Sequence, residues 1–406
     1  MKTPLAGVKV LELGQLIAGP FAARMLGEFG ADVIKIEPPG AGDPLRAWRK
    51  LHKGTSLWWY VQGRNKRTVA IDLRTAEGQA VVRRLAQEAD IVVENFRPGT
   101  MEKWGLDYAA LSANNPGLIM VRVSGFGQTG PMRDQPGFGA IGESMGGVRY
   151  ITGYPDRPPV RLNLSLGDSV AGLHAVIGAL MALRHREVNG GQGQVVDVAL
   201  YESVFNLMEC TVPEYVMYGE IRERTGSNLT GIVPSNTYMS RDAVNIIIAA
   251  NGDGIFRRLM AAIGRSDVGE DPRFANNAGR AAQAEYIDGA IGEWCASVDA
   301  AEAVRCLKSA GVPHGKIYSA ADICNDEQYR ARDMILDMSL PDGTPISMPG
   351  IVPKLSVTPG RVSSPGTAIG AHTREVLREA GFDDAEIDKM HARGVIQLVD
   401  APPNSK

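Results

Sequence analysis

Short β-rich runs alternating with helical segments predict an α/β protein built on an open, parallel sheet covered on both faces. The alternation opens with a strand–turn–helix–strand unit inside the first forty residues. A second observation is size: 406 residues exceed one ordinary core, so two domains are expected. A third is the change of character at the Gly-, Asn- and Ser-containing stretch 225–236, where a smaller unit begins.

The elements follow in order. Val8–Leu13 reads as a strand, a glycine-punctuated turn follows, a helix runs to about Phe29, and Val33–Glu37 is the next strand. Val69–Leu73, Ile91–Glu94 and Ile119–Val123 are further strands, with Thr75–Glu88 carrying the charge pattern of a crossover helix. Gly172–Arg186, rich in Ala, Leu, Ile and Val, is expected to be a helix buried on most of its circumference, with Asp168 at its entrance. Val195–Leu200 is a strand and Glu202–Tyr218 one apolar helix. From Tyr238 to about Ile323 the pattern predicts one strand, Asn245–Ala250, among several helices. Met348–Pro359 is proline-rich and reads as a connecting ribbon, and Thr373–His391 as helical.

Lys plus Arg number 43 against 46 Asp plus Glu, a balance that gives no general attraction to nucleic acid or an anionic membrane. Any anion site must be local. Cys210, Cys295, Cys306 and Cys324 are scattered without a CxxC pair, and the six histidines show no metal-binding spacing, so reduced thiols and no metal are expected. Met1-Lys2-Thr3-Pro4-Leu5 leads into a strand without a signal-peptide stretch, and no apolar run of roughly 18 residues follows. A soluble cytoplasmic protein is the expectation.

The turn Gly14-Gln15-Leu16-Ile17-Ala18-Gly19-Pro20 lies between a strand and a helix, where backbone N–H groups and the helix dipole can hold phosphate or carboxylate. Glu37 stands about where a ribose-binding acid would, but the GxGxxG spacing is absent and Pro20 removes a donor. Gly142-Glu143-Ser144-Met145-Gly146 matches GxSxG without the strand–elbow–helix context a hydrolase nucleophile needs. Asn65-Lys66-Arg67 with Arg74, and Asn95-Phe96-Arg97 with Lys103, are polar and basic groups flanking strands; they read either as a solvated rim or as a cluster converging on phosphates. Asp168 on spacing alone reads as a helix N-cap.

Together these segments resemble the family III CoA-transferases over nearly the whole chain. The resemblance rests on Leu16–Pro20 with Gly30–Glu37, on Asn65-Lys66-Arg67, on Val93–Gly99, on Gly167-Asp168, on Gly191–Val198, on Ala310–Pro313 and on Gly370–Thr373, in that order. It implies that Asp168 is the catalytic nucleophile, attacking a donor thioester to give an aspartyl anhydride and then an aspartyl-CoA thioester, a covalent route that conserves acyl activation. A helix N-terminus favours the ionised carboxylate that this role needs.

The same resemblance implies that Ile17 and Ala18 line the adenine and pantetheine path, Ile71 and Arg74 flank the nucleotide, Asn95 and Phe96 touch pantetheine, and Lys103 meets phosphate. Arg97 and Phe138 are assigned to the same CoA-binding set. Coenzyme A enters as an acyl-CoA substrate beside a small carboxylic acid. The fold implied is a Rossmann-like large domain of residues 1–222 plus 322–406 with an inserted smaller α+β domain of 223–321, assembled as an interlocked homodimer; no nucleic acid or membrane partner is implied. Family members often carry Tyr and Asp where Phe138 and Gly139 stand here, and Gln at Glu143. Residues 226–234 fall where the family has a glycine-rich loop, and Arg149, Arg157 and Arg161 are candidates to clamp a second carboxylate. Two other readings remain: an α-methylacyl-CoA racemase, which usually has His at the place of Phe138 and needs a second acid–base group, and a non-catalytic CoA- or nucleotide-binding module.

Overall fold

The computed structural model describes residues 3–399; Met1, Lys2 and 400–406, which the sequence reading includes, lie outside the described residues. The chain divides into two compact units, Met1–Val148 with Leu162–Glu209 and Tyr329–Lys406, and Arg149–Arg161 with Cys210–Gln328.

In the large unit, β1 (Lys9–Glu12), β2 (Asp32–Glu37), the short hairpin of β3 (Leu51–His52) and β4 (Thr55–Ser56), β5 (Lys66–Ile71), β6 (Ile91–Glu94), β7 (Ile119–Ser124) and β8 (Val195–Ala199) follow in order. The sheet runs β5-β2-β1-β6-β7-β8, all parallel, with Ile396–Gln397 added antiparallel beside β5. The helices are α1 (Ala18–Glu28), α2 (Leu57–Gln62), α3 (Ala76–Ala86), α4 (Thr100–Lys103), α5 (Tyr108–Ser112), α6 (Gly139–Met145), α7 (Leu166–Val188) and α8 (Leu200–Phe205). Alternation along each strand splits the core. Leu11, Ile36, Val69 and Val92 face α3 and the C-terminal helices Thr373–Glu379 and Asp384–Ala392, while Val10, Val33, Ile91 and Val121 face α1 and α7. The two expected faces of a parallel sheet are thus both covered.

Helix α7 departs from its expected burial. Small residues, Ala171, Gly172, Ala175, Ala179 and Ala182, pack inward, whereas Leu173, Ile177, Leu180 and Met181 are exposed in the single chain. Gly172 lets α1 approach: a Cβ there would stand 3.0 Å from the Ala18 carbonyl oxygen and 2.8 Å from Phe21. Among the described residues α7 alone is long and apolar enough to cross a membrane, but half of its apolar window is buried, as in a core helix. The expected single helix over Glu202–Tyr218 is two, α8 and α9 (Thr211–Tyr218), interrupted at Glu209 with φ 48°. The Met348–Pro359 ribbon begins inside a strand, Pro345–Pro349, that pairs with Ile335–Ser339.

The smaller unit has its own core of Ile246, Ile248, Phe256, Leu259, Ile287 and Leu307. Its sheet is antiparallel, with the anticipated strand, Asn245–Ala249, between Ser235–Met239 and His314–Lys316. The two flanking strands carry polar or glycine positions, which hid them from hydrophobic periodicity. Residues 149–161 belong to this unit because they bond within it: Tyr150 donates to Glu223 at 2.5 Å, Arg224 to the Tyr150 carbonyl at 3.0 Å, and the Gly226 amide to Gly153 O at 2.9 Å. The unit therefore begins upstream of the expected residue 223 and takes in a segment that sequence reading placed in the large domain.

Candidate active site

Strand order reverses between β1 and β6: the chain builds β1-β2-β5 to one side and then β6-β7-β8 to the other. At such a switch point the loops leaving the two central strands diverge and open a crevice at the carboxyl edge of the sheet. Here those loops are Gly14–Ile17 and Asn95–Arg97. They are tied together, since Asn95 Oδ1 accepts from the Gln15 amide at 2.7 Å and Nδ2 donates to the Gln15 carbonyl at 2.8 Å. Gly14 eases this contact: a Cβ there would stand 3.0 Å from Asn95 Oδ1 and crowd it.

The same edge gathers most of the residues proposed for CoA. Ile17, at the N-cap of α1, and Ala18 after it are buried. Ile71 ends β5 and is buried; Arg74, three residues on, is 81% exposed and pairs with Asp72 at 2.8 Å. Phe96 is half-buried, packed edge-on against Trp104 with centroids 5.1 Å apart, and its amide donates to Glu94 at 2.8 Å. Arg97 is exposed, as is Lys103 at the end of α4. Burial raises the Glu94 carboxyl to about 7 against the pull of Arg122, whose Nε lies 2.7 Å away.

The first basic group behaves differently from expectation. Lys66 is enclosed, 2.7 Å from Glu12 and 2.8 Å from the Pro20 carbonyl. Arg67, the next residue on β5, points to the other face of the sheet, where it pairs with Asp32, Glu375 and Glu379. Asn65, at φ 58°, bonds the Gly27 and Arg361 carbonyls. These three residues are structural and do not converge on a phosphate. Glu37 likewise is no ribose ligand: both of its oxygens accept from Arg46 at 2.7 Å, and Arg46 in turn lies 3.7 Å over Trp59.

Asp168 lies in the first turn of α7, not at its N-cap, which is Ser165. The N-terminal partial charge of a 23-residue helix thus falls on its carboxylate. Facing it is Gly139, the first residue of α6; a Cβ on Gly139 would stand 2.9 Å from Asp168 Cγ and closer still to Oδ2. Two glycines on α6 and a third at its C-cap work together: Gly139 makes room for Asp168, while Gly142 and Gly146 pack on Leu200 and Val204 of α8. Ser144 lies within α6, next to its last residue, and is exposed, so the GxSxG match is a packing pattern rather than a nucleophile elbow. Glu143 is buried beside Asp168, with the Gly167 amide 3.4 Å from its Oε1. Phe138, in contrast, is 66% exposed and carries no ionisable group. Arg157 pairs with its neighbour Asp156 at 3.7 Å. Among the described residues no cluster of three or more His, Cys, Asp or Glu is arranged to hold a metal ion.

Sequence reasoning missed four members of the layer beneath the turn, Glu12, Lys35, Asp43 and Gln62, and gave the fifth, Lys66, a surface role. The layer's signal was present: a lysine at 35 amid Val33, Ile34 and Ile36 of a central parallel strand is a charge that must be buried.

The fold is an open α/β sheet with a topological switch point between β1 and β6, the place where such sheets hold their ligands. The chain belongs to the CoA-transferase family III, whose model matches residues 5–373, and it is a CoA-transferase. It is 50% identical to the succinyl-CoA–D-citramalate CoA-transferase of Chloroflexus aurantiacus, over 97% of this chain and 98% of that one. It is 35% identical to the succinate–glutarate CoA-transferase of Agrobacterium fabrum, over 93% and 96%. A CaiB/BaiF family protein from Brucella suis superposes with a TM-score of 0.82 at 34% identity, covering 94% of this chain and all of the other.

Proposed function

We propose that the protein transfers CoA from succinyl-CoA to a short dicarboxylic acid of the citramalate, malate or glutarate class. The observation that carries this reading is the 50% identity to the D-citramalate enzyme over nearly the full length of both chains. Relatives acting on L-malate and on glutarate widen the acceptor to the class.

Asp168 attacks the thioester carbonyl of the donor; the C–S bond breaks, CoA leaves as thiolate, and a succinyl–aspartyl anhydride remains. The thiolate then attacks the aspartyl carbonyl, forming the aspartyl-CoA thioester and releasing succinate. The acceptor carboxylate displaces the thiolate, and its return to the acceptor carbonyl frees Asp168 and gives the new thioester. Donor and product are both thioesters of similar energy, and the covalent intermediates conserve the acyl activation between them, so no external activation is consumed. Support comes from the place of Asp168 at the α7 N-terminus, against a position where only glycine leaves room. Ile17, Ala18, Ile71, Arg74, Asn95, Phe96, Arg97, Lys103 and Phe138 form the CoA-binding set, with the large unit as the CoA-binding domain.

The active form is an interlocked homodimer of the cytoplasm. Apolar side chains left exposed in the single chain support the assembly: Ile177 and Met181 on α7, and, separately, Val216 and Tyr218 on α9. Sedimentation showing only monomers at micromolar concentration overturns it. The four cysteines are free thiols, as a reducing compartment requires.

The test of mechanism is intact-protein mass spectrometry after incubation with succinyl-CoA, trapping with hydroxylamine, on wild type and Asp168→Ala. The reading expects an adduct on Asp168 that the variant lacks. No adduct, together with deuterium exchange at the α-carbon of a branched acyl-CoA, would establish racemase chemistry instead.

A further inference from the structure

The turn entering α1 is fixed by side chains along its length. Lys35 Nζ donates to the Gly14 carbonyl, Asn95 Nδ2 to Gln15, Gln62 Nε2 to Ile17 at 3.0 Å and Lys66 Nζ to Pro20 at 2.8 Å. The Leu16 amide donates to Asp43, 3.0 Å from Oδ1 and 3.2 Å from Oδ2. Leu16 sits at φ 64°, in the left-handed region that a leucine disfavours. Asp43 is bound to Lys35 at 2.9 Å, Lys35 to Glu12 at 3.1 Å and Glu12 to Lys66 at 2.7 Å, and all four side chains are closed off from solvent.

A simple strand-to-helix turn requires none of this. Four buried charges cost desolvation energy that their mutual attraction barely offsets, and the same volume of apolar side chains packs at least as stably. The lattice therefore makes sense as a device for geometry. What it fixes is the backbone that leads into Ile17 and Ala18, and Ala18 O lies 3.0 Å from where a Cβ on Gly172 would stand, one helical turn beyond Asp168 on α7.

We propose that Asp43 and Lys35 are positioning residues of the transferase: by holding Leu16 in its left-handed conformation they pre-set the CoA-binding turn beside the nucleophile. The proposal rests on the family III reading above. Pre-organising a site before the ligand arrives removes the ordering cost from binding, so loosening the turn must weaken CoA affinity.

The experiment is titration calorimetry of the full chain with CoA itself, which needs no knowledge of the acids, alongside succinyl-CoA kinetics. Asp43→Ala is expected to raise the Kd for CoA about tenfold. Adding Leu16→Gly to that variant, which makes the left-handed conformation accessible without the Asp43 acceptor, is expected to restore at least threefold of the loss. An unchanged Kd in Asp43→Ala, or a loss that Leu16→Gly leaves untouched, overturns the positioning role and leaves the lattice purely structural. Should Asp43→Ala not fold, Asp43→Asn fills the position but weakens both the acceptor for Leu16 and the tie to Lys35, since a neutral amide oxygen accepts less strongly than a carboxylate; a Kd raised about threefold supports the proposal and an unchanged one overturns it. Wild-type protein that fails to bind CoA would instead overturn the family-based reading beneath it.

Discussion

The turn after β1 and the approach to Asp168 stand at the same site and are built in opposite ways. The turn is fixed by what is added, a run of buried charged and amide side chains that bond the backbone at Gly14, Gln15, Leu16, Ile17 and Pro20. The Asp168 approach is fixed by what is missing, since Gly139, Gly142 and Gly146 bring α6 against the carboxylate and against α8 where any side chain would collide. One region is defined by hydrogen-bond satisfaction, the other by steric room. They should therefore fail differently, the first when atoms are removed and the second when atoms are inserted.

The largest effect is expected at Asp168, the proposed nucleophile. Asp168→Ala should lower kcat at least about a thousandfold while CoA binding stays within about threefold, because binding and covalent chemistry are separable; calorimetry beside steady-state rates reads both. If CoA affinity collapsed as well, Asp168 would belong to the turn's logic and the contrast would break.

Next comes the insertion of a single methyl group. Gly139→Ala pushes the Asp168 carboxylate from its place, and kcat should fall about a hundredfold with little change in KM for the thioester, a loss in line with misplacement of a reacting group by about 1 Å. A larger effect on KM than on kcat would show that α6 acts on binding. Arg74→Ala should be milder, raising KM for CoA about threefold with kcat unchanged. Its side chain is exposed, so any contact with phosphate is screened.

The smallest effect concerns the floor beside Asn95. Burial lifts the Glu94 carboxyl to about 7 from 4.5, so between those values the folded protein holds a proton that the unfolded chain has released. This contribution to stability is complete below about pH 4.5 and is lost as pH rises through about 7. Melting temperatures across that range should show a downward slope in the wild type that Glu94→Gln flattens; an unchanged slope would mean that the Arg122 pair keeps Glu94 ionised throughout.

Strands β1, β2 and β6 were legible because parallel strands buried on both faces are nearly continuous apolar runs, and Ile91–Glu94 was found to the residue. The polar strands of the smaller unit were not, and the helix break at Glu209 was passed over although Pro213, in the first turn of α9, marks a helix start. Lys66 and Arg67 show the deeper limit. Adjacent in sequence and alike in charge, they point to opposite faces of β5, one into a closed lattice and the other to a surface ion-pair cluster.

The sequence by itself determined the α/β class, the strand–turn–helix entry and, through its ordered motifs, the family, because these depend on local periodicity and on residue types in a fixed order. Only the tertiary structure decided which charges are structural, which glycine yields to the carboxylate, and that the turn after β1 is locked from below. Those properties arise between residues far apart in the chain, such as Gly139 with Asp168 or Lys35 with Gly14, and a one-dimensional pattern does not encode distances across a fold.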